Sequence, residues 1–280
     1  MALFRNINDF ARAKKEGIPI SMVTCYDYAF ARLVEQTEVD VLLVGDSLGN
    51  VVAGYENTIP VTVEQMIYHT GLVKRGAPSK FLVCDLPFMS YHVSIEDSLR
   101  NAGRILKETG CHAVKLEGGE DFVPVVKALV KASIPVMGHL GLTPQSVHKL
   151  GGYSVQGRGD DSRKIMIDDA KMLEDAGAFS LVLEMVPDDL AAEISSILSI
   201  PTIGIGAGKY CDGQVLVLHD LLGMNEGFNP KFLKKYADLS GIIREALNNY
   251  NSEVKSREFP AEEQSFKTKK GGGEGKVYSK

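Results

Sequence analysis

VDVLLVGD, residues 39–46, is a short run of valine and leucine that stops on a glycine and an aspartate. A stretch so short, so β-branched and apolar on both alternating faces reads as a strand buried on both sides, as in parallel sheets covered by helices. The same phrase recurs along the chain. ISMVTCY (20–26) precedes it, and FLVCDLP (81–87), AVKLEGG (113–119), PVMGHLG (135–141), FSLVLEMV (179–186), PTIGIGAG (201–208) and QVLVLHD (214–220) follow. Segments of helical period lie between them, among them VTVEQMIYHTGLVKRG, SIEDSLRNAGRILKETG, FVPVVKALVKA, SRKIMIDDAKMLEDAG and DLAAEISSIL. Repeated βα units with eight strands close most simply into an α/β (β/α)8 barrel of the TIM type. The alternative is an open doubly wound sheet, against which stands the lack of a GxGxxG after the first strand.

Local signals refine the elements. Gly76, Gly110 and Gly177 follow polar last turns and are expected as left-handed helix caps. Thr62 with Gln65, and Ser94 with Asp97, stand at capping-box spacing. Residues 4–16 read as an extra N-terminal helix able to cover the bottom of the barrel. Residues 141–161 read as a long Gly-rich loop after strand five, a length that usually signals function. Residues 230–250 form an additional amphipathic C-terminal helical segment. The expected organisation is one barrel domain over 1–250 and a tail over 251–280 whose last ten residues are disordered.

At 280 residues, 44% hydrophobic and 24% charged, the chain can bury a large core. The net charge of −5 offers no basic field for nucleic acid or acidic lipid, and neither is expected as a partner. The first residues carry charges where a signal peptide would have an apolar centre, so a cytoplasmic location is expected. Cys25, Cys84, Cys111 and Cys211 are scattered without a CxxC pair and read as reduced thiols. His69, His92, His112, His148 and His219 show no metal-ligand spacing.

In a barrel the C-terminal strand ends converge on the face that carries the active site. Here those ends hold Asp46-Ser47, Asp85, Lys115 with Glu117, His139 and Glu184. Asp46 and Asp85 each follow an apolar run, where an unpaired carboxylate is costly and a hard cation such as Mg²⁺ would relieve it; the competing reading makes each a helix or turn cap. Lys115 and Glu117 alternate with Leu116, so both point the same way. Inward, Lys115 can neutralise a substrate carboxylate or alkoxide and Glu117 can bind the cation directly or through water; otherwise the two form a structural ion pair. Glu184 is an acid in an apolar strand, and burial would raise its pKa into the range of a general base. It could also be a satisfied internal acid bonded to His139 or Lys115. His139 is either packed or catalytic. GIGAG (204–208) either presents backbone N–H groups to an anion or meets crowding at the barrel mouth.

With their surroundings, these residues make up TCYDYAFARL, LLVGDSLGNVVAGYENTIPVT, YHTGLVKRGAP, DLPFMSY, VKLEGGE, GHLGLTPQSV, GGYSVQGRG, LVLEMVP, IGIGAG and DGQVLVLHDLLG, spread over roughly residues 20–224. In these words the chain resembles the ketopantoate hydroxymethyltransferase family. The resemblance implies a (β/α)8 barrel that transfers a hydroxymethyl group from 5,10-methylenetetrahydrofolate to 3-methyl-2-oxobutanoate, giving 2-dehydropantoate for pantothenate and coenzyme A. It implies Asp46, Asp85 and Glu117 at an Mg²⁺ site, Ser47 and Lys115 on the substrate, and Glu184 as proton acceptor; Asp46, Asp85 and His139 are also expected to face the 2-oxo acid. It further implies a homo-oligomer, a decamer, that exchanges a C-terminal helix. Tyr55 and Gln264 replace histidines of some relatives, and the tail past Phe266 is longer. The nearest rival is a lyase or mutase of the isocitrate-lyase and phosphoenolpyruvate-mutase kind, whose KKCGH or KxCxH word is missing here. A catalytically dead barrel acting as a small-molecule sensor is a rival of another class.

Overall fold

A computed structural model describes residues 4–267. Eight parallel strands close in sequence order into a barrel: β1 Ile20–Thr24, β2 Val41–Val44, β3 Phe81–Asp85, β4 Ala113–Lys115, β5 Val136–Gly141, β6 Ser180–Glu184, β7 Thr202–Ile205 and β8 Gly213–Leu216, with β8 pairing back onto β1. The open-sheet alternative is excluded. Helices lie outside: α1 Ile7–Glu16, α2 Tyr28–Glu35, α3 Val63–Gly76, α4 Ile95–Thr109, α5 Val123–Lys131, α6 Asp160–Asp175, α7 Asp188–Ile197 and α8 Leu239–Ser256, with shorter helical turns between them. Among the described residues no helix is long and apolar enough to cross a membrane, and the four cysteines are free thiols.

Two buried clusters follow from the strand periodicity. One side of the sheet packs against the helices through residues such as Leu42, Leu82, Val114 and Leu181. The other fills the barrel with Met22, Leu43, Phe81, Val83, Met137 and Val182. At its lower end α1 seats Phe10, fully buried, edge-on against Phe81 and Phe179 with ring centres 5.0 Å apart in both pairs. The expected bottom cover is therefore present, anchored by a reciprocal cap between Asn6 and Asp9.

The capping signals divide. Thr62 and Gln65 form the full reciprocal box, whereas Ser94 accepts from the Asp97 N–H without the return bond. Gly110 is a left-handed cap, and Gly177 has φ 96° two residues beyond its helix, whose cap is Ala176. Gly76 is not a cap. It is the last residue of α3, and a Cβ there would stand 2.6 Å from Ala31 Cβ and 2.7 Å from the Tyr28 oxygen, so its glycine serves the close approach of α3 to α2. The loop expected over 141–161 contains a 3-10 turn at Pro144–Ser146 and one helical turn at Val147–Leu150 before α6 begins at Asp160. α8 continues past residue 250, across the boundary expected there. The last ten residues, expected to be disordered, lie outside the described residues.

Between β7 and β8 there is no helix, and residues 206–212 alone make the connection. The GIGAG word accounts for this. Gly206 and Gly208 take φ 64° and 78°, and a Cβ on Gly208 would lie 2.4 Å from Asp188 Cβ. Positive φ and crowding each call for glycine here.

Candidate active site

Period two carries the chemistry upward from the packed interior. Val83 is followed two residues on by Asp85, Met137 by His139 and Val182 by Glu184, so each polar side chain is stacked on an inward apolar one. Strand register sets them side by side: Asp85 pairs with Lys115, His139 with Val182, and Gly141 with Glu184. Lys115 and Glu117 both face inward and are 4% exposed, which settles the direction the sequence left open. Asp46 and Ser47 enter from the turn after β2. Gly45 makes room for them, since a Cβ there would meet Ser47 Oγ at 2.9 Å. All seven residues expected from the sequence line one cavity of about 710 Å³ at the C-terminal face.

Lys115 Nζ lies 3.1 Å from Asp85 Oδ1 and 3.2 Å from His139 Nδ1. Burial works against its ammonium, but the charges of Asp85, Glu117 and Asp46 outweigh burial and hold its pKa up. Lysine can only donate, so His139 Nδ1 must offer its lone pair and the ring proton sits on Nε2. Burial, then the Lys115 charge, push His139 well below its ordinary value, and the ring is neutral. Its Nε2 points at Glu184 Oε2 at 3.3 Å without the alignment of a hydrogen bond. With one nitrogen protonated and the other engaged by Lys115, His139 has no free lone pair to act as a base.

Glu184 does. Burial raises its carboxyl to about 7, opposed by Lys115, and its side chain keeps 18% of its surface exposed to the cavity. Met185 beside it holds φ 49°, a left-handed strain fixed by its N–H donating to the Ile205 oxygen. Asp46 is also raised to about 7, first by burial and then by the Asp85 charge. Burial and the charge of Asp46 raise Glu117 well above the carboxylate range. Ser47 Oγ shares a 2.8 Å hydrogen bond with the Tyr26 hydroxyl.

Four carboxyl groups thus surround one ammonium, and ionising all of them would leave an excess of negative charge that a divalent cation would relieve. Asp85 Oδ1 is buried and accepts no aligned hydrogen bond, while its Oδ2 accepts from the Asp46 N–H at 3.0 Å. Among the described residues no group of three or more acids, cysteines or histidines is disposed to hold a metal. The pair Asp46 and Asp85 fits Mg²⁺, which takes one or two carboxylates and completes its shell with water and substrate. Glu117 is tied elsewhere: Oε2 accepts from the Gln145 N–H at 3.0 Å, and Oε1 lies 3.6 Å from His139 Nδ1.

Gln145, Tyr91 and Tyr26 do not line the cavity but brace it from behind, and sequence reasoning missed them. A neutral amide or phenol leaves no charge signal at a strand end. The one available pointer to Gln145 was its place in the long loop after β5.

Comparisons with known proteins bear on the family and the fold. The family profile of ketopantoate hydroxymethyltransferase matches residues 5–262. The 3-methyl-2-oxobutanoate hydroxymethyltransferase of Leptospira interrogans is 55% identical over 258 residues, covering 92% of this chain and 97% of its own. The protein of the same name from Geobacillus sp. is 58% identical over 252 residues, covering 90% of each chain. Among solved structures, phosphonopyruvate hydrolase with oxalate and Mg²⁺ superposes with a TM-score of 0.62 at 12% identity, covering 91% of this chain and 90% of its own. A 2,3-dimethylmalate lyase gives a TM-score of 0.61 at 15% identity, covering 90% and 86%. At such identities these two show a shared barrel and nothing finer. By a profile match over nearly its whole length and by curated relatives above half identity, the chain belongs to the ketopantoate hydroxymethyltransferase family, a family of transferases.

Proposed function

We propose that this chain transfers a hydroxymethyl group from 5,10-methylenetetrahydrofolate to 3-methyl-2-oxobutanoate, forming 2-dehydropantoate in pantothenate synthesis. The observation that carries the reading is Glu184: a carboxyl raised to about 7, reaching the same cavity as the Lys115, Asp46 and Asp85 cluster. Removal of a proton next to a carbonyl needs this combination, a base poised near neutral pH and concentrated charge where the oxyanion develops.

Glu184 takes the C3 proton of the 2-oxo acid, and the electron pair of that C–H bond moves into the C2–C3 bond. The C2=O electron pair moves onto oxygen. Water opens the folate's methylene bridge, both C–N bonds breaking with their electron pairs left on the folate nitrogens, which take up protons. C3 attacks the one-carbon unit so released at the aldehyde level, whose oxygen takes up a proton to become the hydroxyl as tetrahydrofolate departs. Lys115 neutralises charge on the substrate's oxygens, and Ser47 Oγ, held by Tyr26, donates to its carboxylate. A divalent cation held by Asp46 and Asp85, with Glu117 behind them, would supply Lewis acidity toward the 2-oxo and carboxylate oxygens. His139, neutral, orients Lys115 and flanks Glu184. Within a cavity of about 710 Å³, both partners can be held in register.

The assembly reading extends to α8. None of its residues is buried, and Ile242, Ile243, Leu247 and Tyr250 are exposed along it, as expected of a helix that packs on a neighbouring subunit of a homo-oligomer. The test of function is NMR of 3-methyl-2-oxobutanoate incubated with protein, Mg²⁺ and methylenetetrahydrofolate. Resonances of 2-dehydropantoate are expected; an unchanged 2-oxo acid under these conditions would refute the reading.

A further inference from the structure

We propose that Gln145 is a positioning residue: it fixes which oxygen of Asp46 and of Glu117 faces the cavity, and so sets the affinity of the site for a divalent cation. The inference rests on the functional reading above. Gln145 stands in the 3-10 turn after β5, 5% exposed, with every hydrogen-bonding group of its side chain engaged. Its Nε2 donates to Asp46 Oδ2 at 2.8 Å and to the Leu86 oxygen at 2.9 Å, and its Oε1 accepts from the Tyr91 hydroxyl at 2.8 Å. Its backbone N–H donates to Glu117 Oε2. One residue thereby ties together the ends of β2, β3 and β4.

The partners determine the amide's orientation. Turned over, Oε1 would face the Leu86 carbonyl oxygen, an acceptor with no proton to offer, so the observed arrangement is the one that satisfies the network. With Oδ2 of Asp46 taken by Gln145 and Oδ2 of Asp85 taken by the Asp46 N–H, each carboxylate has one oxygen committed. Asp85 Oδ1 faces Lys115 Nζ at 3.1 Å without an aligned hydrogen bond. A carboxylate held at one oxygen presents the other in a set direction, which suits a cation that takes few protein ligands and keeps most of its water. Groups that orient metal-binding carboxylates in this way are commonly worth 10- to 100-fold in affinity.

The experiment measures Mn²⁺ binding to the purified full-length protein by the loss of its free EPR signal, with circular dichroism melting as the check on folding. In Gln145→Met, which keeps length and loses both donors, the Mn²⁺ Kd is expected to rise about 10- to 100-fold. Tyr91→Phe cuts the other arm of the network and leaves Nε2 on Asp46; its Kd should stay close to wild type. If Gln145→Met does not fold, Gln145→Asn is read the same way, since its amide is one methylene too short to reach both Asp46 and Tyr91. A folded variant at 145 that binds Mn²⁺ as tightly as wild type overturns the proposal, as does a Tyr91→Phe loss equal to that of Gln145→Met. Wild-type protein that binds no Mn²⁺ would overturn both this proposal and the cation site. Binding by wild type without any transfer activity would sink the functional reading alone.

Discussion

Replacing Glu184 by glutamine keeps the side chain's shape and removes its ability to accept a proton, which isolates the role assigned to it. Proton removal needs no folate, so the half-reaction can be followed alone: in D₂O with Mg²⁺, the C3 hydrogen of 3-methyl-2-oxobutanoate should exchange, seen by NMR as loss of its coupling to the methyl groups. With the carboxyl at about 7, the wild-type exchange rate should level off above pH 7, and at pH 6 only about one-tenth of the base is ionised. Glu184→Gln should slow exchange by about 10²- to 10⁴-fold, the usual worth of a positioned base. The same raised pKa carries a stability consequence of definite sign. Folding lifts the carboxyl from 4.5 to about 7, so its contribution is full below pH 4.5 and lost as pH rises through 7. The full shift corresponds to an upper bound of about 3 kcal/mol, reduced by the part of the side chain that meets solvent. Glu184→Gln should therefore melt above wild type at pH 8 and close to it at pH 4.5. Exchange at the wild-type rate in this variant, with its pH profile unchanged, would refute the assignment of the base.

Chelation with EDTA should abolish turnover and added Mg²⁺ restore it, while Asp85→Ala should stay inactive in either buffer; full activity in metal-free buffer would remove the cation from the reaction. For assembly, truncation after residue 238 should reduce the particle size measured by light scattering, and truncation after 270 should not. A cut after 238 spares Pro230, Phe232 and Leu233, which line the active cavity. A monomeric full-length protein would contradict the role given to α8. His112 should produce acid sensitivity remote from the site. Burial, then the charge of Lys74, lower its pKa to about 4, and the Leu82 N–H donates to its Nδ1, which requires the neutral ring. Its contribution to stability is thus complete above pH 6.5 and lost as pH falls toward 4. Urea midpoints should show this slope in wild type and a shallower one in His112→Gln.

What the sequence determined by itself is whatever depends on periodicity and on charge. Runs such as VDVLLVGD are apolar on both faces, and that pattern points to parallel strands covered by helices; eight of them favour a barrel over an open sheet, and closure itself is decided by the pairing of β8 with β1. Asp85, His139 and Glu184 were legible because each breaks such a run at its C-terminal end, and barrel geometry sends those ends to one place. Gly76 was misread because a glycine after a polar turn has the same local signature whether it takes a positive φ or, as here, lets Ala31 and Tyr28 come within contact. Gln145 was invisible for a related reason: an amide becomes a site residue only when Asp46, Leu86 and Tyr91, far from it along the chain, are folded around it. The helix-free step from β7 to β8 and the neutral His139 held at Nδ1 by Lys115 were likewise decided by tertiary structure alone. Close approach, proton location and pKa depend on which groups meet in a low-dielectric space, and chain order does not specify that until the barrel closes.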